Sequence, residues 1–246
     1  MSNKIWIVGL GPGLHDHMTP AAQDALKEAE VVVGYKTYID LIKFFLIDKE
    51  VYASGMRKEI DRCKEVLEIA NQGKSVALVS SGDAGVYGMA GIMLELVESE
   101  QADVDVIVIP GVSAANAAAA TLGAPLMHDY CVISLSDLLT DWDIIKKRIA
   151  CAGEGDFVVS LYNPRSKGRP NNIVEARDIL LKYRSPQTPV GIVTNAKREN
   201  ESMVITDLEN MCEEEINMFS MVIIGNSKTF VTEDGTTMIT PRGYKL

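Results

Sequence analysis

Cysteine and histidine are scarce in this 246-residue sequence, which limits the metal and disulfide chemistry it can support. Its four cysteines, Cys63, Cys131, Cys151 and Cys212, are scattered and form no C-x-x-C pair, and there are three histidines. Such spacing fits reduced, mostly buried thiols better than a disulfide framework or a zinc site. We therefore expect no protein-bound metal.

Long apolar runs and an excess of basic charge are also missing. No apolar stretch approaches the roughly 20 residues that cross a bilayer, and the apolar run 5–8 is not preceded by the basic region of a signal peptide. We therefore expect a cytoplasmic protein with no membrane partner. The formal charge of −10 also argues against a nucleic-acid partner, although residues 146–148 and 165–169 are locally basic.

A dinucleotide-binding turn is the third absence. The motif G-L-G-P-G at 9–13 follows a strand-like run, but Leu14 occupies the position where G-x-G-x-x-G requires its third glycine. The following helix begins only at Thr19-Pro20, which are typical as N-cap and first helical residue. A nicotinamide-dependent oxidoreductase is therefore disfavoured.

The apolar pattern indicates an α/β fold. In the first half, strand-like runs at 5–8, 31–34, 76–79 and 104–109 alternate with helical patterns at 20–29, 35–45, 57–72, 89–97 and 114–121. This alternation is typical of a mainly parallel sheet covered by helices. The hydrophobic content of 47% is that of an ordinary globular protein.

The second half has more strands per helix, which indicates a mixed sheet. Strands are predicted at 130–135, 157–162, 190–194, 202–206 and 219–224, and helices at 141–152, 171–183 and 207–212. We predict two α/β domains, 1–124 and 125–246, with an active-site cleft between them.

The glycine-rich stretch 80–88 lies between a strand-like run and a helical pattern. Its glycines permit positive φ and close approach to the backbone, and Asp83 is the one charge in the stretch. Asp83 is suited to accept hydrogen bonds from a ligand's hydroxyl or ammonium group. The alternative is that Asp83 caps the following helix.

Four sequence blocks taken together resemble one family. They are G-L-G-P-G at 9–13, V-V-G-Y at 32–35, S-G-D-A-G-V-Y-G at 81–88 and P-G-V-S-A-A at 110–115. In order and spacing they are similar to the tetrapyrrole methylases, the class III S-adenosylmethionine-dependent methyltransferases. Ala84 stands where that family more often has proline.

The resemblance implies that S-adenosyl-L-methionine is held between the two domains. Matching the family's motifs residue by residue, the implied cofactor-binding residues are Pro12, Ser81, Gly82, Asp83, Val86, Ser113, Ala114, Tyr162 and Ala196. The resemblance also implies a homodimer.

Further blocks at 122–130, 133–140, 161–166 and 225–227 resemble the C17-methyltransferase branch of cobalamin biosynthesis. That resemblance implies methylation of a tetrapyrrole, precorrin-3B or cobalt-factor III, with contraction of its ring. It leaves the metal-free and cobalt-containing substrates open. Methylation at another ring carbon and a non-catalytic tetrapyrrole-binding module are the alternatives. A relative that methylates ribosomal RNA is disfavoured by the acidic charge.

Ring contraction, which the resemblance implies, moves protons and would use general acids and bases. The candidates are His128, Asp129, Asp137 and Arg165. For the first two the alternative is a structural role at a strand entry, and Asp137 has the alternative of a helix cap. Arg165, with Lys167 and Arg169, is suited to bind the substrate's carboxylates; the alternative is a solvated basic loop.

Overall fold

The computed structural model describes residues 3–55 and 58–245. The chain divides into two compact units, Met1–Ala114 and Ala115–Leu246. The boundary expected after residue 124 lies further along the chain and stays a prediction. Among the described residues, no helix combines the length and apolar character that a membrane span needs.

The first unit is built on a five-stranded parallel sheet. Its strands are β1 Lys4–Gly9, β2 Val31–Tyr35, β3 Glu50–Ser54, β4 Val76–Ser80 and β5 Asp105–Ile109. Its helices are α1 Pro20–Glu28, α2 Lys36–Leu41, α3 Glu59–Asn71 and α4 Ala90–Glu100, with 3-10 turns at His15–His17 and Lys43–Phe45. The strand order is β3-β2-β4-β1-β5, and every neighbouring pair is parallel.

Both faces of this sheet are buried, because successive residues of a strand point to opposite faces. Ile5 and Ile7 of β1 share one core with α3 and α4, whereas Trp6 and Val8 share the other with α1. Burial in the first of these cores raises the pKa of the Cys63 thiol to about 11. This cysteine therefore stays protonated, as expected of a structural thiol.

The second unit contains a mixed sheet. Its strands are β6 Gly123–Ala124, β7 Tyr130–Ser134, β8 Val158–Tyr162, β9 Pro189–Thr194, β10 Ser202–Asp207, β11 Ser220–Ile224, β12 Phe230–Val231 and β13 Met238–Ile239. The main sheet has the order β10-β9-β11-β8-β7, with β7 and β8 parallel and the other pairs antiparallel. A small sheet has the order β12-β13-β6.

Three helices accompany these strands in the described part of the chain. They are α5 Ala114–Leu122, α6 Trp142–Glu154 and α7 Asn172–Leu180, and a 3-10 turn spans Met211–Glu213. The predicted α/β class, with a parallel sheet followed by a mixed one, is confirmed.

A buried arginine joins three elements of the second unit. The guanidinium of Arg184 donates to the backbone carbonyls of Ala152 in α6, Phe157 before β8 and Gly225 after β11. Removal from water lowers the pKa of this guanidinium. The carbonyl oxygens replace the lost water, which reduces the cost of burying the charge.

The structure contains strands that the apolar pattern does not predict, namely β3, β6, β12 and β13, and it lacks one predicted helix. Strand β3 was not predicted, because it lies at the sheet edge and its residues are mostly exposed, so it lacks an apolar run. The helix predicted at 207–212 is wrong. The backbone N–H of Asn210 donates to the carboxylate of Asp207 at 2.9 Å, which turns the chain after β10 and leaves only the short 3-10 turn.

Three turns meet at the carboxyl edge of the first sheet, because β1, β4 and β5 are parallel and end there. The backbones of Gly11 and Gly82 exchange two hydrogen bonds, of 3.0 and 2.7 Å. A Cβ atom on Gly111 would lie 2.3 Å from the carbonyl oxygen of Gly82 and 2.6 Å from that of Gly9. Backbone atoms cannot move aside as a flexible side chain can, so this contact requires glycine.

We expect Gly111→Ala to lower the free energy of unfolding by about 1–3 kcal/mol, the usual cost of overpacking. The matched control is Gly91→Ala in α4, where a Cβ would meet nothing within 4 Å. That change should raise stability by about 0.5–1 kcal/mol, because alanine favours the helix. Equilibrium urea unfolding measures both, and equal shifts for the two variants would contradict the close contact.

Candidate active site

The loop between β4 and α4 is held by its own backbone and by Ser80. The hydroxyl of Ser80 accepts from the backbone N–H of Met89 at 3.1 Å, and the N–H of Ala90 donates to the carbonyl of Ala84 at 2.9 Å. Ala84 is fully buried. The loop is therefore anchored at both of its ends and at its centre.

Asp83 ties this loop to the turn after β5. One carboxylate oxygen accepts from the N–H of Gly85 at 2.8 Å, and the other accepts from the N–H of Gly111 at 3.1 Å. The N-cap position of α4 is Met89, so Asp83 is not the cap of that helix. Each carboxylate oxygen can accept a second hydrogen bond, which leaves Asp83 able to bind a ligand as well.

The structure brings the predicted cofactor residues of the first unit together at the carboxyl edge of its sheet. Pro12 follows Gly11, which is paired with Gly82. The Cβ position of Gly82 lies 3.6 Å from the backbone nitrogen of Ala114 and 3.8 Å from the Cα of Ser113. Residues separated by about a hundred positions in the sequence thus form one cluster.

Apolar side chains are exposed beside these turns. Val86 is 37% and Tyr87 58% exposed, and Val112 after β5 is 39% exposed. Tyr87 has a φ of 53°, a left-handed conformation that is unusual for a bulky residue. Such backbone strain is found most often at functional sites. The loop therefore combines polar backbone groups with an apolar surface, as a ligand site requires.

The predicted cofactor residues of the second unit are Tyr162 and Ala196. The phenol oxygen of Tyr162, at the end of β8, accepts from the N–H of Ala115 in α5 at 3.1 Å. Ala196 lies in the loop between β9 and β10, between Asn195 and Lys197, which have φ values of 54° and 56°.

Two candidates for acid or base catalysis are adjacent and exposed. The Nδ1 atom of His128 accepts from the backbone N–H of Asp129 at 2.8 Å, and 44% and 83% of the two side chains are exposed. With Nδ1 accepting, the proton of the neutral imidazole is on Nε2. That nitrogen is the one available to donate to a ligand.

Asp137 is paired rather than free, and it does not cap a helix. Its carboxylate lies 3.8 Å from the Nε of Arg169. The N-cap of α6 is Asp141, whose carboxylate accepts from the N–H of Asp143. The alternative of a capping role for Asp137 is therefore wrong.

The basic loop 165–169 is only partly available to a ligand. The Arg169 side chain is 13% exposed and donates to the carbonyl of Leu135 and the hydroxyl of Ser166. It holds the loop in place. Arg165 donates only through Nε, to a backbone carbonyl, and Lys167 makes no hydrogen bond or ion pair with a described residue. Arg165 and Lys167 are the cations that remain for an anionic ligand.

Arg62 supports the loop between β4 and α4, which the sequence pattern does not predict. This buried arginine of α3 donates to the hydroxyl of Ser54 at 2.9 Å and lies 3.6 Å from the sulfur of Met89, where α4 begins. An arginine in an amphipathic helix is ordinarily placed on the solvent face. No local pattern could have shown that this one points inward.

A metal centre is not apparent in the described part of the chain. Residues 3–55 and 58–245 contain no group of three or more histidine, cysteine, aspartate or glutamate side chains placed to hold a metal ion.

Comparison with known sequences identifies the family. The family described as Tetrapyrrole (Corrin/Porphyrin) Methylases matches residues 4–212. A probable cobalt-factor III C(17)-methyltransferase of Salmonella typhimurium is 55% identical, over 98% of this chain and 99% of that protein. A precorrin-3B C(17)-methyltransferase of a Sinorhizobium species is 38% identical, over 99% of this chain and 98% of that protein.

Solved structures of methyltransferases have the same fold as this chain. The crystal structure of the methyltransferase CobJ superimposes with a TM-score of 0.90 and 36% identity, over 96% of this chain and 99% of that one. A uroporphyrin-III C-methyltransferase from Thermus thermophilus, complexed with S-adenosylhomocysteine, shares the fold with a TM-score of 0.69 and 23% identity, over 90% of this chain and 97% of that one. This chain belongs to the tetrapyrrole methylases, a family of methyltransferases, as its glycine motifs predicted.

Proposed function

We propose that this protein transfers a methyl group from S-adenosyl-L-methionine to C17 of cobalt-factor III, with contraction of the ring, in cobalamin biosynthesis. The observation that carries the proposal is the 55% identity, over nearly the whole of both chains, to a protein named for that reaction. The relative named for precorrin-3B is 38% identical. Precorrin-3B is therefore the second candidate substrate.

The first unit fits the cofactor. The turns after β4 and β5 are partly exposed at one sheet edge, and Val86 and Tyr87 add an apolar surface. The turn at 11–13, which contains Pro12, is buried. When bound, S-adenosyl-L-methionine supplies an electrophilic methyl group on a sulfonium. The proposal assigns contacts with it to Pro12, Ser81, Gly82, Asp83, Val86, Ser113 and Ala114 in the first unit and to Tyr162 and Ala196 in the second.

The protein's part in methyl transfer is to hold and orient the methyl donor and the acceptor. Displacement at a methyl carbon needs no enzyme nucleophile, so the rate depends on positioning and on exclusion of water. A site made of backbone groups suits this task, because the backbone of closely packed turns loses little freedom when a ligand binds. Asp83 contributes by fixing two of the turns to each other.

The substrate and the acid–base chemistry are assigned to the second unit. Tetrapyrroles of this kind carry acetate and propionate groups, and Arg165 and Lys167 are the basic-loop cations available to bind them. We retain His128, Asp129, Asp137 and Arg165 as the groups for proton transfer in ring contraction. Homodimerisation and a cytoplasmic location remain predictions.

The first test is calorimetric titration of the protein with S-adenosylhomocysteine, which binds like the cofactor but carries no methyl group to transfer. We expect saturable binding with a dissociation constant in the micromolar range, which corresponds to a binding free energy of about −8 kcal/mol. Incubation with S-adenosyl-L-methionine and either cobalt-factor III or precorrin-3B should then add one methyl group, detected by mass spectrometry, faster to the cobalt compound. Binding without methyl transfer to either tetrapyrrole would reject the proposed reaction.

Asp83→Ala should weaken S-adenosylhomocysteine binding about tenfold or more. The substitution removes two hydrogen bonds to a charged acceptor, which are worth about 1.5–3 kcal/mol each, and so loosens the turn that carries Ser113 and Ala114. The matched control is Asp103→Ala, an exposed aspartate without hydrogen bonds to described residues. Calorimetry measures the affinity of both variants for S-adenosylhomocysteine. Equal affinities would show that Asp83 does not belong to the site.

Arg165→Ala and Lys167→Ala should each weaken tetrapyrrole binding, by up to about tenfold, and leave S-adenosylhomocysteine affinity unchanged. Because the proposed contacts are between exposed charges, the loss should shrink as ionic strength rises. Lys182→Ala, which removes an exposed cation elsewhere in the second unit, is the control. Absorbance titration measures the tetrapyrrole affinity of all three variants. Equal affinities would show that the basic loop does not bind the substrate.

A further inference from the structure

The loop at residues 195–200, which we call the 196 loop, is held in an uncommon backbone conformation. Asn195, Lys197 and Asn200 have φ values of 54°, 56° and 60°. Asparagine tolerates the left-handed region through its short polar side chain, whereas lysine has no such advantage. Conformations of this kind are unfavourable for the backbone and persist only when the surroundings hold them.

The carboxylate of Glu201 holds Lys197 in this conformation. One oxygen of its carboxylate accepts from the backbone N–H of Lys197, and the other lies 3.9 Å from the Nζ of the same lysine. The Glu201 side chain is 28% exposed, so water competes only in part for the carboxylate. The residue that follows Ala196 is thus bound through both its backbone and its side chain.

The same carboxylate also joins the 196 loop to α5. The hydroxyl of Thr121, in the last turn of α5, donates to Glu201 at 3.0 Å. Near the start of the same helix, the N–H of Ala115 donates to the phenol oxygen of Tyr162 at 3.1 Å. Tyr162 and Ala196 are the residues of the second unit that are assigned to the cofactor. Tyr162 is hydrogen-bonded to α5 directly, and the loop that carries Ala196 is linked to the same helix through Glu201.

We propose that Glu201 is a positioning residue for the methyl donor. Its carboxylate fixes the 196 loop against α5, so that the backbone around Ala196 is already in its binding conformation before the ligand arrives. Preorganisation of this kind raises affinity because less freedom is lost on binding. Glu201 itself touches no reacting atom in this scheme. The inference rests on the proposed function, because it needs Ala196 to contact the cofactor.

The test compares Glu201→Ala and Glu201→Gln with Glu199→Gln by calorimetric titration with S-adenosylhomocysteine. Glu199 is two residues away, exposed, and makes no hydrogen bond or ion pair with a described residue. We expect about a tenfold loss of affinity for Glu201→Ala. Glutamine keeps one acceptor oxygen but loses the charge and the second oxygen, so Glu201→Gln should lose less. Glu199→Gln should bind like the parent.

A second variant tests the link to α5. Thr121→Val removes the hydroxyl and keeps the shape of the side chain, so it should also weaken binding of S-adenosylhomocysteine. Because the proposed effect of Thr121 passes through its hydrogen bond to Glu201, the double variant Thr121→Val/Glu201→Ala should lose little more affinity than Glu201→Ala alone. Fully additive losses would overturn the proposed link.

Thermal unfolding separates positioning from a purely structural role. If Glu201 only stabilised the fold, Glu201→Ala would lower the melting temperature but bind S-adenosylhomocysteine with the parent's affinity at temperatures where it is folded. That result would overturn the inference and leave the proposed function standing. Failure of the folded parent to bind S-adenosylhomocysteine would instead reject the proposed cofactor, and this inference with it.

Discussion

Backbone contact between the glycine turns at the carboxyl edge of the first sheet is the constraint on which the site depends. Gly9, Gly82 and Gly111 approach so closely that a methyl group on the last would collide with carbonyl oxygens of the other two. This approach is available because β1, β4 and β5 are parallel and adjacent, or separated by one strand, in the order β4-β1-β5. The sheet therefore creates the site, and the glycines allow the turns to close.

Asp83 links two turns of the candidate site through one side chain. Its two oxygens accept from backbone N–H groups of two different turns, one exposed and one partly buried. A carboxylate is suited to this because it accepts without donating and carries spare lone pairs. The same logic recurs in the second unit, where Glu201 accepts from a loop and from a helix.

The character of the site agrees with the chemistry of the family. Methyl transfer by displacement makes few demands for acids, bases or nucleophiles and strong demands for orientation. A candidate site made of closely packed glycine turns meets these demands. We propose that Arg165 and Lys167 of the basic loop bind an anionic substrate, and that the acid–base candidates of the second unit serve ring contraction.

The sequence by itself determined the α/β class, the parallel and mixed sheets, the glycine turns and the family, because burial of strands and tight turns imposes local patterns of apolar residues and glycine. The edge strand β3 could not be predicted in this way, because its exposed residues form no apolar pattern. Only the tertiary structure decided which polar side chains are already engaged. Arg62 and Arg184 are buried, Arg169 donates to Ser166 and Leu135, and Glu201 holds Lys197. These roles depend on partners distant in sequence or on the exact course of a loop, and neither leaves a trace in local residue order.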